Sequence, residues 1–332
     1  MKALVYTGTE VVEMMEQPDP RAGNDEVVVA IEAVGICGSD MHAYLGHDER
    51  RVPPLVLGHE AAGTVVEGPH IGMRVVLNPL ITCGHCDDCL SGRSNLCAER
   101  DLIGMYRPGA FAERIAIPAR NLIEIPDGMD AAAAALTEPA ATALHAVNLA
   151  AKVSHRPLAE ARCVVFGGGS VGLFAALALT NHGAPVVHLA ETNPLRRATA
   201  GATGACVAVD PIAAPLDDSS YDVVIDAVGG RVTRAESSRV VRPGGTIMHI
   251  GLQDNNDGLD IRRLTLQEVT FIGTYTYTQV DMRATLAQLH AGGFGDLSWL
   301  EQRDLSAGAS AFDDLLQGRS AAPKIVLRPN AR

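Results

Sequence analysis

Cys83, Cys86, Cys89 and Cys97 fall within fifteen residues, spaced C-x2-C-x2-C-x7-C. Four thiolates so close can enclose one Zn²⁺ tetrahedrally, leaving no coordination position for a substrate. The stretch 82–89 is almost without apolar side chains, so burial cannot hold its shape. A closed Cys₄ zinc contributes about 10–16 kcal/mol of folding free energy to such a lobe. Disulfides are the competing reading. The tightly strung C-x2-C pairs and an N-terminus that reads as a strand, not a signal peptide, speak against them. This metal is structural and names no reaction.

A second set of ligand types is scattered: Cys37 in Gly35-Ile36-Cys37-Gly38-Ser39-Asp40-Met41-His42, His59 in Gly58-His59-Glu60, and Glu138 in Thr137-Glu138-Pro139. One Cys, one His and one or two carboxylates form a zinc sphere that can keep one position free, as catalysis requires. Glu60 and Glu138 both qualify as the carboxylate ligand, and spacing does not choose between them. Asp40 is placed behind His59, fixing its tautomer by accepting the second ring N–H. His47, His70 and His85 read as solvated loop residues, Cys163 and Cys206 as small buried hydrophobes.

Residues 163–191 carry a third chemistry. A strand, Cys163-Val164-Val165-Phe166, leads into Gly167-Gly168-Gly169-Ser170-Val171-Gly172, a G-x-G-x-x-G turn. A helix follows from about Val171 to His182, then a strand, 186–190, ending at Glu191. In such a βαβ unit Gly167 makes the tight turn, Gly169 lets a pyrophosphate approach the N–H groups at Ser170 and Val171, and Gly172 packs helix on strand. Glu191 stands 19 residues after Gly172, where an acid binds the adenosine ribose. A carboxylate there favours NAD over NADP, because it repels a 2′-phosphate. Arg196 and Arg197 temper this, since an arginine can accept that phosphate. The strands 222–226 and 246–250 follow, the second introduced by Pro243-Gly244-Gly245. Val228, Gly229 and Gly251 stand beyond their carboxyl ends, where they either border the cofactor or simply turn the chain.

The elements that must position these groups are α/β. The chain has 332 residues, enough for two domains. With 47% hydrophobic and only 4% aromatic residues, the core is built from Ala, Val, Leu and Ile, which suits helices packed on parallel strands. The net charge of −12, without a basic block, argues against nucleic acid or an anionic membrane as partner. No apolar run is long enough to span a bilayer. Seven cysteines with metal or packing roles point to a reducing, cytoplasmic setting.

Together these motifs resemble the zinc-containing medium-chain alcohol dehydrogenase family, closest to its sorbitol/polyol dehydrogenase branch. The resemblance covers nearly the whole chain. It rests on 35–40, 58–60, the four cysteines, Gly109-Ala110-Phe111-Ala112-Glu113, and the glycine loop with Glu191. Glu138 stands where alcohol dehydrogenases proper carry a cysteine, which favours the polyol branch. The resemblance implies a GroES-like, mostly-β catalytic domain (1–140 and 276–332) and an inserted doubly wound Rossmann domain (141–275). It implies two zincs per chain, NAD, a small alcohol or polyol substrate, and a homodimer or homotetramer. It also implies a relay in which Ser39 takes the hydroxyl proton, passes it through the cofactor ribose, and His42 releases it to solvent, with Glu60 beside the metal. Two departures appear: a shortened link from His59 to Gly72, and Thr276-Tyr277 where polyol dehydrogenases often read Arg-Tyr. The second turns the expectation from sorbitol towards another polyol or a secondary alcohol. Tyr44, Phe111 and Tyr277 are candidates for the substrate wall. Rival readings are an NADP(H)-dependent reductase of the same fold, a non-enzymatic zinc-ribbon protein and a zinc-independent quinone reductase type.

Overall fold

The computed structural model describes residues 1–255 and 257–329; the last residues of the C-terminal stretch, 330–332, lie outside it. Its first body is built on Glu26–Gly35, a ten-residue strand rich in Val and Ile. β-branched side chains suit a pleated surface, and here they are buried between sheet layers. Glu26–Gly35 pairs antiparallel with Glu60–Glu67, Arg114–Pro118 and Lys324–Arg328 inside a seven-stranded sheet. The registers of these pairings define one corner of the sheet. Gly35 lies opposite both Glu60 and Val326, so three strands meet there. The returning strand, 324–328, thus crosses the whole sequence to reach the start of the chain.

The second body is a six-stranded parallel sheet. In spatial order its strands are Val207–Val209, Val186–Ala190, Arg162–Phe166, Tyr221–Asp226, Val241–His249 and Thr270–Gly273. Strand order reverses at Arg162–Phe166, the switch point where ligands bind in open α/β sheets. Tyr221–Asp226 is buried along its full length, as expected of a strand covered on both faces. The fifth strand is longer than the sequence predicts. It takes in Pro243-Gly244-Gly245, where the pairing with Tyr221–Asp226 shifts register. Pro and Gly therefore mark a bulge inside the strand, not a turn before it.

The helix after the glycine turn spans Ser170–Asn181, and seven consecutive residues from Leu173 to Leu179 are buried. It is apolar all round because it is covered all round. The sheet lies on one side; Thr137–Val153, Phe294 and Trp299 lie on the other. Thr137–Val153 carries Glu138 in its first turn and packs on Gln279–His290. Its many alanines permit that close approach. Among the described residues, no helix is long and apolar enough to cross a membrane.

Candidate active site

The corner where the three strands meet holds the first ligand set. Cys37 follows Gly35–Ile36 and forms the N-cap of the short helix Gly38–Tyr44. His59 precedes, and Glu60 opens, the strand opposite. The ligand atoms of Cys37, His59 and Glu60 all lie within 4.8 Å of one another. Glu60 fits only because residue 35 is glycine. A Cβ there would stand 2.1 Å from Glu60 Oε2. Glu60 is fully buried, and both its oxygens accept from Lys324 Nζ, at 2.7 and 2.6 Å. The third ammonium donor goes to the Ile36 carbonyl at 2.7 Å. Burial disfavours the Lys324 charge, but Glu60 and then the Cys37 thiolate outweigh it and raise the lysine's pKa.

Asp40 is also fully buried. Its carboxylate accepts from the N–H groups of Cys37 (3.0 Å) and Gly58 (3.3 Å), and Oδ1 stands 3.5 Å from His59 Nδ1. That separation is an ion-pair distance, longer than a hydrogen bond, and leaves Nδ1 buried without a hydrogen-bond partner. Burial opposes a charged His59, yet Asp40 and Cys37 together raise its pKa well above the ordinary range. A potential that attracts a proton so strongly attracts a metal cation by the same Coulomb term. Thiolate, imidazole and carboxylate fit zinc. Glu138 stands outside the 4.8 Å group. It accepts from Tyr277 Oη at 2.9 Å, and its pKa rises to about 7 through burial, with the Glu60 charge adding to it.

Ser39 and His42 lie three residues apart on Gly38–Tyr44 and so share a face. His42 is half-buried; burial and then His47 lower its pKa, Asp48 opposes, and Arg51 lowers it further. Ser39 Oγ accepts from Arg51 Nη2 at 3.3 Å. Tyr44 and Phe111 do not line a cleft: both are buried in the core against Phe312.

In the cysteine lobe the four ligand sulfurs also lie within 4.8 Å of one another, and no disulfide joins them. Cys83 Sγ is 3.9 Å from Cys89 Sγ and 3.6 Å from Cys97 Sγ. A tetrahedron with Zn–S bonds of about 2.3 Å has edges of about 3.8 Å, so the sulfurs fit zinc. The backbone N–H groups of His85 and Cys86 draw the Cys83 thiol down to about 6. His85, like His47 and His70, is exposed.

At the switch point, Gly172 could carry no side chain: a Cβ would lie 1.9 Å from the Gly167 carbonyl. Gly169 has open space where its side chain would be, and the helix it caps has no side-chain cap. Uncapped N–H groups beside an open cradle fit a pyrophosphate. Glu191 bridges the loop, accepting from Gly168 N and Asn193 N, both at 2.7 Å. Arg196 Nε stands 3.8 Å from Glu191. Asp226 Oδ1 accepts from Val228 N and Gly229 N, turning Val228 towards Gly167 and Gly251.

Three participants escaped the sequence reading. Lys324 was legible only as a strand residue, Tyr277 only as a wall residue, and nothing local separates buried Arg51 from its exposed neighbour Arg50.

Comparison with known proteins agrees with this arrangement. Residues 23–127 match the alcohol dehydrogenase GroES-like domain, and residues 170–291 match the zinc-binding dehydrogenase domain. The L-galactonate-5-dehydrogenase of Escherichia coli K12 is 32% identical over 88% of each chain. The sorbitol dehydrogenase of Bacillus subtilis 168 is 30% identical over 99% of this chain and 98% of its own. Among solved structures, a zinc-binding dehydrogenase from Sinorhizobium meliloti 1021 bound to NADP superposes with a TM-score of 0.86, at 28% identity and 99% coverage of both chains. With a GroES-like body, a doubly wound body and both ligand sets in place, the chain belongs to the zinc-binding alcohol and polyol dehydrogenases of the medium-chain family.

Proposed function

We infer that the protein moves hydride between NAD(H) and the carbinol carbon of a polyol or secondary alcohol. The observation that carries this reading is the clustering of Cys37 with the buried His59 and Glu60. When bound, zinc polarises a hydroxyl oxygen and NAD⁺ takes the hydride. The chain's own residues do the rest. Cys37, His59 and Glu60 hold the metal, and Glu138, kept by Tyr277, stands near as a further carboxylate. Asp40 sets the orientation of His59. Ser39 takes the substrate proton, and His42, half-buried, hands it to solvent. The glycine loop cradles the pyrophosphate, while Glu191 accepts from ribose hydroxyls. Glu191 is the reason to prefer NAD, although a related structure binds NADP; Val228, Arg196 and Gly251 complete the cofactor's border.

A panel of C3–C6 polyols, sugar acids and simple secondary alcohols, followed at 340 nm with NAD⁺ and NADP⁺, tests the reading. Turnover with NAD⁺ is expected to exceed that with NADP⁺. Cys37→Ser is expected to lose at least about 10³-fold in kcat while NADH still binds by fluorescence. A fully active variant would remove the metal assignment, and a preference for NADP⁺ would move the reading to a reductase.

A further inference from the structure

Arg51 is a buried cation at a site whose other charges are mostly carboxylates and a thiolate. It is only 2% exposed. Three bonds from three directions hold it. Nη1 donates to Asp48 Oδ2 at 2.5 Å, Nε to the Gly104 carbonyl at 2.9 Å, and Nη2 to Ser39 Oγ at 3.3 Å. Asp48 is itself gripped from outside by the half-exposed Arg50, at 2.8 and 3.0 Å. Gly104 abuts Gly58, the residue before His59. The guanidinium is therefore fixed behind Ser39, and too enclosed for a substrate to touch it.

A serine hydroxyl has two lone pairs and one proton. Arg51 occupies one lone pair. If Ser39 accepts the substrate hydroxyl on the other, its own proton has to leave on the remaining side, along the face it shares with His42. Arginine carries donors and no acceptor, so the proton cannot pass backwards into the protein. A bond from a cation also stabilises the partial negative charge on Oγ while protons are in transit.

We propose that Arg51 is a positioning residue that confines proton exchange at the Ser39 hydroxyl to a single path between the substrate oxygen and the His42 side. In the transfer, the substrate O–H bond breaks as a new O–H bond forms on Ser39 Oγ. In the same step the original Ser39 O–H bond breaks outward and its proton passes towards the His42 ring nitrogen, so the hydroxyl is restored and Oγ never carries a positive charge. This inference rests on the dehydrogenase reading above.

A double-mutant cycle on the holoenzyme tests it, with Arg51→Met, Ser39→Ala and the pair. If Arg51 acts through Ser39, Arg51→Met lowers kcat by about ten- to a hundredfold, the size of one charge-assisted hydrogen bond, with KM little changed. It also changes the solvent deuterium isotope effect on kcat. In the Ser39→Ala background the same substitution is expected to cost nothing further, because the effects of coupled residues do not add. Additive losses, or an unchanged kcat, overturn the proposal and leave Arg51 a tie between the 48–51 loop and Gly104. Should Arg51→Met not fold, Arg51→Lys replaces it in the same cycle, since a single ammonium cannot serve all three acceptors; the same two outcomes decide. A wild-type protein inactive across the panel overturns the dehydrogenase reading and this inference together. An active wild type with an additive cycle overturns this inference alone.

Discussion

Glu60 is held in a fully buried corner by one partner, the Lys324 ammonium, and by the missing side chain at Gly35. Removing one member of such a pair leaves the other charge uncompensated away from water. Lys324→Met is expected to cost about 3–5 kcal/mol, read as a lower urea midpoint with the slope unchanged. It is also expected to weaken zinc retention at the Cys37 set, because Glu60 loses the contact that aims it. A variant as stable as wild type would mean that the Lys324–Glu60 contact contributes nothing to the fold. A surface ion pair such as Arg319–Asp313 contributes little by comparison, since both partners are half-exposed.

The helices Thr137–Val153 and Gln279–His290 carry the groups around Glu138, so their mutual fit governs that side of the site. Asp281 joins them. It closes a capping box with Thr278, and its oxygens reach His145 (2.8 Å) and Asn148 (3.2 Å) on the facing helix. Burial opposes its ionisation, but His145 and the Thr278 hydroxyl and N–H hold its pKa well below the usual 3.8. A carboxyl depressed on folding contributes stability that is present above its unfolded pKa and lost as pH falls through the folded one. Asp281→Asn is therefore expected to cost about 2 kcal/mol at neutral pH. That gap to wild type should close progressively as pH drops below 3.8. Thermal melts between pH 7 and pH 3 check it; a gap independent of pH would rule out the charge as its origin.

At the scale of the molecule, the cysteine lobe is tied to the nucleotide half. Asn95 Nδ2 donates to the Tyr275 carbonyl at 2.8 Å, and the Arg100 guanidinium lies 4.7 Å from the Tyr275 ring centre. Tyr275 is two residues from Tyr277, which holds Glu138. Loss of the lobe's metal therefore reaches the site as well as the fold. Cys89→Ser is expected to bind one zinc per chain fewer than wild type, by elemental analysis, and to melt at lower temperature. The lobe has little apolar content with which to compensate. A variant with the wild-type zinc content and an unchanged melting curve would remove the structural-metal assignment.

The amino-acid sequence alone determined whatever lies within one short window. The four-cysteine spacing, the glycine turn with its acid nineteen residues on, and Gly58-His59-Glu60 each place their atoms through local backbone geometry. The two-body α/β architecture was legible for the same reason, since periodicity and turn residues are local signals. Contacts across the chain were not. Glu60 and Lys324 are 264 residues apart, and Glu138 and Tyr277 are 139 apart. Only the strand register that sets Gly35 against both Glu60 and Val326, and the packing of two helices, bring them together. Pro243-Gly244-Gly245 reads locally as a turn, yet the pairing of Val241 and Thr246 with Tyr221 and Val223 on the neighbouring strand holds it as a bulge. Arg50 and Arg51 are alike in sequence, and burial alone separates them. Local spacing specifies which ligands exist; tertiary packing decides which neighbours charge, orient and restrain them, because electrostatic strength depends on exclusion from water.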